Sequence, residues 1–459
     1  MENDRVFRHV FPFAVETFRQ FHGSSLSRSL RERGLLPQTR ELPPVDADTL
    51  PSQPEGAERG VFLEHERIGF PSFAHEWSPG MLYVAGLATL DIQGEALAAG
   101  FTLKDATPTN ILFRGSRPVL VDYLSFIPVV ADQYLWFPEG QFIRNFVLPL
   151  LLFRLTGEST QAAFLGRRDG LEPGDVYRKI GWTQRLQPSV FRFVTAPSWL
   201  AKSKKAAVAQ TSRLSSDKNR SAFLREALHE NLRNAFVRLS PACISESRWS
   251  DYMSEHNYDP VAFAAKEGFV REALTELSPR RVLDVGCNTG HFSRMAAVGG
   301  AEVVAVDYDA ASVDHVLKTT LAENLNVLPL VVNLAWPSPA LGWEFEERTS
   351  FLQRAEGYFD CALLLAVIHH LSATDGVPLP RIFALLSRLV SRGAVVEYVS
   401  TDDSMMQRLL HHKGHLRPSL SQAAFEAALA PWFHIAKRQP LSEGRRCLYL
   451  LNRKIATAS

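Results

Sequence analysis

The C-terminal half of this sequence predicts an α/β fold built on a doubly wound, mostly parallel sheet. Three observations carry that prediction. An apolar run beginning at Arg281 ends in Asp284 and passes straight into a glycine-rich turn, GCNTG. A second apolar run, AEVVAVD, closes on Asp307. From there strand-type and helix-type patterns alternate, as they do when crossover helices join parallel strands.

Taken in order, residues 281–284 predict the first strand and 291–298 the first helix. Residues 302–307 predict a strand, 310–324 a helix and 327–332 a third strand. Strands follow at 360–366 and 394–399. Two last segments, 433–437 and 447–452, are joined by QPLSEGRR and read as a closing antiparallel pair. A helical lead-in at 222–279 precedes the first strand, and its second part, 260–277, has apolar residues at helical spacing before Ser278-Pro279.

Each residue of the turn has a physical task. Gly286 and Gly290 allow a sharp turn and close approach of a ligand, because neither carries a Cβ. Asn288, between them, tolerates a left-handed backbone better than other non-glycine residues. Cys287 lies in the same turn, at a helix N-terminus that suits a cofactor. Asp284 is placed to orient an amino-acid portion of the ligand. Asp307 is placed to accept two ribose hydroxyls, with Tyr308 beside it. A nicotinamide dinucleotide fits less well: glycine is missing at the third and sixth positions of GxGxxG, and Asp284 would sit close to a pyrophosphate.

The ordered set of D-x-G-x-N-x-G, Asp307 and FDCALLLAVIHHL resembles the class I S-adenosylmethionine-dependent methyltransferases over residues 249–453. That resemblance implies a Rossmann-like domain with a mostly parallel seven-stranded sheet and an antiparallel last strand. It implies S-adenosyl-L-methionine as cofactor, with Asn333 and Leu334 near the adenine and Ala366 near the methyl donor. Trp249 and Tyr252, on the lead-in, are candidates to cover the cofactor, although aromatics there serve packing equally often.

At the end of the fourth strand, His369 and His370 are the candidate catalytic residues, His369 ahead of His370. A histidine there could take a proton from a hydroxyl acceptor, having an ordinary pKa close to working pH. The alternative is that one packs and the other is exposed. Glu397, in the fifth strand, faces the same cleft or is a structural carboxylate. No NPPY-type motif follows the fourth strand, which speaks against a nucleobase amine.

The N-terminal part reads as an α+β domain. Residues 1–59 form an extension with an amphipathic helix in FPFAVETFRQFHG and a Pro-, Asp- and Ser-rich linker. Within 60–200, a helix is expected at 82–99, then a hairpin whose strands flank the turn Arg114-Gly115-Ser116-Arg117. Asp105, Asn110 and Asp122 in LKDATPTN…RPVLVDYLSF resemble the catalytic loop and metal strand of the protein-kinase and aminoglycoside-phosphotransferase superfamily. The resemblance implies a kinase-large-lobe-like domain, with those three residues as metal or catalytic groups only if it is active. No lysine occurs before Lys104, and no Gly-rich loop precedes it. An inactive acceptor-recognition domain is therefore expected, and no metal.

Residues 201–221 hold four lysines and two arginines and read as a basic linker. The whole chain also resembles bacterial nodulation-type methyltransferases linked to glycan signals. With neither an NPPY-type nor a PC-type motif, a hydroxyl acceptor on a glycan, lipid or small molecule is favoured and protein or RNA stays open; the nodulation resemblance adds weight to a carbohydrate or glycolipid without identifying the acceptor. Two other readings stay open: a bifunctional kinase–methyltransferase, and a non-catalytic cofactor-binding scaffold or regulator.

The bulk numbers set bounds on these readings. With 459 residues, two or three domains are expected. A net charge of +1 gives no global footprint for nucleic acid. The four cysteines are scattered without a CxxC pair, so zinc and disulfide frameworks are not suggested and a cytoplasmic location is expected. No signal peptide is expected, and the most apolar run, FVLPLLLF, is far too short to span a bilayer. Oligomeric state is not legible.

Overall fold

Seven strands of one sheet, and the edge at which they end, position the site. A computed structural model describes residues 5–43, 60–201, 218–241, 260–411, 418–441 and 444–454. The chain divides into two units, Met1–Pro241 and Ala242–Ser459.

Unit 1 begins with β1 (Val6–Val10), which pairs antiparallel with β3 (Val61–His65), and β2 (Thr39–Glu41) lies on the other side of β3. The helix Pro12–His22 buries Phe18 and Phe21, and Phe21 stacks on Phe126 at 3.9 Å. Residues 5–43 are therefore part of the unit's core rather than an extension from it; of the expected linker, residues 44–59 lie outside the described residues.

The short strands β4 (Phe101–Leu103) and β7 (Phe126–Pro128) pair with one another. Between them β5 (Ile111–Arg114) and β6 (Arg117–Leu120) make the expected hairpin, with Ile111 opposite Leu120 and Arg114 opposite Arg117. Its two-residue loop puts Gly115 at φ 55°, where a side chain would be strained. The expected helix at 82–99 is observed as Pro79–Ala98, started by the Ser78 hydroxyl accepting from Met81 N–H.

The helix Lys218–Val237 also belongs to unit 1, which corrects the expectation that 222–239 leads into the second domain. Phe236 is fully buried, stacking on Tyr83 at 5.4 Å and meeting Phe142 edge-on at 5.1 Å. Arg233 Nε lies 2.7 Å from Asp91 Oδ1. At Gly86 a Cβ would come within 2.5 Å of Phe236 Cζ, so the close helix–helix approach requires glycine there. The boundary thus falls after Pro241, and the helix starts inside the expected basic linker.

In unit 2 the strands are β8 (Arg281–Val285), β9 (Glu302–Asp307), β10 (Val327–Val331), β11 (Phe359–Leu364), β12 (Val390–Val399), β13 (Phe433–Leu441) and β14 (Arg446–Arg453). Their order in space is β10-β9-β8-β11-β12-β14-β13. Strands β8 to β12 pair in parallel, and β14 enters antiparallel to both β12 and β13. The order reverses between β8 and β11, which is where a doubly wound sheet opens a ligand crevice at its carboxyl edge.

Valine-rich strands with helices on both faces explain why the central strands are buried throughout. The helix Pro260–Leu277 contributes Phe269, Val270, Ala273 and Leu277 to that core. The fourth strand is shorter than expected. It ends at Leu364, because Ala366 turns into the left-handed region at φ 58°.

Candidate functional site

The turn after β8 is built by backbone hydrogen bonds before any ligand is considered. Gly286 N and Cys287 N both donate to Val306 O, at 2.8 and 3.1 Å, and Gly290 N donates to Cys287 O at 2.8 Å. Gly286, Asn288 and Gly290 all have positive φ, at 67°, 48° and 78°. A Cβ on Gly286 would stand 2.4 Å from Val367 Cγ2, and one on Gly290 2.8 Å from Val316 Cγ2. Glycine is therefore required at both positions, by positive φ and by close packing on Val367 and Val316. Cys287 is buried in the core and its amide is already used, so it shapes the turn by packing.

Two acids close the cradle. Asp307 Oδ2 accepts from Asn288 N and Oδ1 from Asp309 N, both at 3.0 Å, and the Tyr308 amide also bonds the carboxylate. Burial raises the Asp307 pKa, and the amides of Asp309 and Asn288 oppose that rise. Asp284 is buried at the end of β8 and accepts the Ser293 hydroxyl at 2.6 Å. Its pKa is pushed up to about 6, first by burial; Ser293 opposes this, and the Asp307 charge adds to it.

Asn288 Oδ1 is buried without a hydrogen-bond partner among the described residues. Buried polar atoms are costly unless paired. An unpaired acceptor and two desolvated carboxylates fit a ligand that brings an ammonium group and hydroxyls. S-adenosylmethionine brings both, and when bound it supplies an electrophilic methyl group.

The other expected residues are placed as follows. Tyr308 is exposed beside Asp307. Asn333 follows β10, and its Oδ1 accepts from Ala335 N at 2.9 Å, which fixes the side chain within its own turn; Leu334 is half-buried next to it. Ala366 and Val367 form the strained exit from β11, against Gly286. Trp249 and Tyr252 lie outside the described residues.

The two histidines are unlike each other. His369 is buried, and its pKa falls well below the ordinary value, first through burial and then through the charges of His370, Arg446 and Lys266. It lines a cavity of about 10 Å³ together with Ser372, Glu397 and Tyr398, which is room for roughly one water. Desolvation disfavours the imidazolium of His369. His370 is half-buried; its pKa is also lowered, by burial, and the Asp375 carboxylate opposes that.

Sequence reasoning missed a buried charge network beside the sheet edge. Lys266 Nζ lies 2.7 Å from Glu397 Oε2, and Arg446 Nη1 lies 3.4 Å from Glu397 Oε1. Arg446 Nε lies 3.0 Å from Asp403 Oδ2, and Asp403 also caps the helix Ser404–Leu409 by accepting from Met405 N. Glu397 is fully buried, paired with Lys266 and Arg446, and lines the same small cavity as His369. A signal did exist: Lys266 shares the apolar face of its helix with Ala262, Val270 and Ala273.

In unit 1, Asp122 Oδ1 accepts from Arg8 Nη1 at 2.6 Å, and Gln141 Nε2 donates to Asp105 Oδ1 at 3.5 Å. Val121 N donates to Asn110 O at 2.8 Å, which brings Asn110 to the strand end that carries Asp122. Among the described residues no group of three or more His, Cys, Asp or Glu could hold a metal ion, and no helix is long and apolar enough to cross a membrane.

Residues 253–434 match the family described as a methyltransferase domain. The chain is 28% identical over 395 residues to nodulation protein NoeA of Rhizobium meliloti (strain 1021), covering 85% of this chain and 82% of that protein. It is 32% identical over 134 residues to the O-antigen chain terminator bifunctional methyltransferase/kinase WbdD of Escherichia coli, covering 28% of this chain and 16% of that protein. Among solved structures, N-methyltransferase NodS from Bradyrhizobium japonicum WM9 with S-adenosyl-l-homocysteine aligns at 14% identity and TM-score 0.33, over 46% of this chain and 93% of that one. Domain match and strand order agree: residues 253–434 form a methyltransferase domain, and its cofactor is S-adenosylmethionine.

Proposed function

We propose that the enzyme methylates a hydroxyl group of a glycan or glycolipid, and that unit 1 recognises the acceptor. The observation that carries this reading is the similarity to the nodulation protein, which spans most of both chains and so extends beyond the methyltransferase domain. The partial similarity to an O-antigen chain terminator points the same way. Exposed Trp336, Trp343 and Phe345 on the loop after β10 add flat apolar faces near the carboxyl edge of the sheet, and Glu344, Glu346 and Glu347 beside them would accept hydroxyl protons.

In this reading the cradle of Asp284, Gly286, Asn288, Gly290 and Asp307 holds the cofactor. The backbone at Ala366 and Val367 walls the side from which an acceptor approaches. We assign the proton-accepting role to His370, the more accessible of the two histidines. Buried His369 has a positioning role, lining one small cavity with Glu397 and Ser372.

Unit 1 is read as kinase-like in outline and silent in phosphate transfer. Arg8 already neutralises Asp122, and no lysine precedes Lys104 to pair with nucleotide phosphates. The bifunctional similarity of WbdD keeps phosphate transfer as the second reading.

The test is incubation of the full chain with methyl-labelled S-adenosylmethionine and cell extract fractions. Label in a carbohydrate or glycolipid fraction, absent with Asp307→Ala, is the expected result. Label confined to protein or RNA would overturn the acceptor class. Cofactor binding without turnover on any fraction would favour a regulator.

A further inference from the structure

We propose that the small cavity beside β12 binds one ordered water, which links buried His369 to Glu397 and fixes the ring in its Nδ1–H tautomer. Glu397 is thereby a positioning residue for the histidine pair, an inference that rests on the assignment of His370 as proton acceptor.

Two observations place the water. His369 is 4% exposed, and its Nδ1 is buried without a hydrogen-bond partner among the described residues. A buried polar atom of this kind is costly unless paired. The cavity that His369 lines has a volume of about 10 Å³, room for roughly one water. Such a water needs about two to four polar partners, and the polar walls Glu397, Ser372 and Tyr398 supply them together with His369.

The protons already committed decide the tautomer. Ser372 Oγ donates to Ile368 O at 2.8 Å, and Tyr398 Oη donates to Leu420 O at 3.2 Å. Both hydroxyls therefore face the water as acceptors. Glu397 is held between Lys266 Nζ at 2.7 Å and Arg446 Nη1 at 3.4 Å, and as a carboxylate it can only accept. The water's protons go to these acceptors, and its own lone pair then needs a donor. Of the side chains lining the cavity, His369 alone can supply one, from Nδ1. Burial, with the charges of His370, Arg446 and Lys266, keeps the ring neutral. A proton on Nδ1 thus leaves the lone pair on Nε2.

The lock reaches the reaction through His370. The rings of His369 and His370 stand 4.2 Å apart with their planes 40° from parallel. Ser372 lies in the wide helical turn His370–Thr374, so the cavity wall and His370 share one turn. A ring held from Glu397 gives His370 a fixed neighbour as it takes up its proton.

The test is a long-range ¹H–¹⁵N spectrum of the full chain labelled at histidine, at neutral pH. His369 signals are identified by their loss in His369→Gln. The expected wild-type pattern is Nδ1–H, the reverse of the tautomer that imidazole favours in water. Ser372→Ala leaves the water, its donor and Glu397 in place and should keep that pattern. Ser372→Val puts a methyl group where the water sits and should release it. Glu397→Gln should release it as well, because the new amide N–H can donate to the water in place of Nδ1. Methyl transfer from labelled S-adenosylmethionine to whichever extract fraction takes label should have a kcat at least ~10-fold lower in Ser372→Val than in Ser372→Ala, at equal cofactor KM. Thermal melts show which variants are folded. An Nε2–H pattern in the wild type overturns the proposal, as does Nδ1–H retained in folded Ser372→Val. Equal rates in the two Ser372 variants, or turnover on no fraction, overturn the positioning role, and the spectra still decide the tautomer. Label in protein or RNA overturns the acceptor class alone, since neither the spectra nor the rate ratio depends on which fraction is labelled.

Discussion

Lys266 and Glu397 meet at 2.7 Å inside unit 2, one from the lead-in helix and the other from β12, 131 residues apart in sequence. Both are buried, and Arg446 shares the carboxylate. The pair fixes the helix to the sheet beside the carboxylate of Asp284, whose ionised form the lysine also favours.

Removing either partner leaves an uncompensated buried charge. Lys266→Met or Glu397→Gln should each destabilise unit 2 by roughly 3 kcal/mol in urea unfolding. The double variant should lose less than the sum, since the second change removes a charge already orphaned. Additive losses would show that the two side chains do not interact.

Asp284 carries a stability penalty at the position where we propose that it binds the cofactor. Its carboxyl titrates near 3.8 when unfolded and at about 6 when folded. The native state therefore holds the extra proton between those values, and stability falls as pH rises through that window. Asp284→Asn should raise the melting temperature at pH 7, with the gain vanishing below pH 4, and should abolish cofactor binding in calorimetry. In the wild type, cofactor affinity should weaken as pH drops through about 6.

Gly286→Ala meets Val367 and a positive φ together. It should cost about 1–3 kcal/mol and weaken cofactor binding more than 10-fold. Val367→Ala in the same chain should recover part of the stability by relieving the clash. The backbone strain would stay. Full recovery would mean that φ plays no part.

The Arg8–Asp122 pair is only partly buried, with 37% and 17% of the side chains exposed, so Arg8→Ala should cost at most about 1 kcal/mol. Adding ATP with Mg²⁺ should leave the wild-type melting temperature unchanged. A rise that disappears in Asp122→Ala would instead establish nucleotide binding in unit 1.

A fragment ending at residue 241 should unfold cooperatively on its own, while one ending at 217 should be much less stable. The shorter fragment loses fully buried Phe236 and nearly buried Leu232, each worth about 1.5–3 kcal/mol of apolar burial. Differential scanning calorimetry of the two fragments decides the boundary.

By itself the sequence determined the alternating strands and helices of unit 2, the cradle glycines, and the acids that end β8 and β9. These are local matters: strand period, positive φ and strand-end chemistry are read within a few residues. It also determined the hairpin ahead of Asp122, through its short turn. Only the tertiary structure decided what met across long separations. Arg8 reached Asp122 from 114 residues away, and Lys266 reached Glu397. Likewise, the first strand joined the core of unit 1, Lys218–Val237 packed with unit 1, and burial desolvated His369. Burial and charge pairing depend on which elements fold against each other, and no local pattern encodes that.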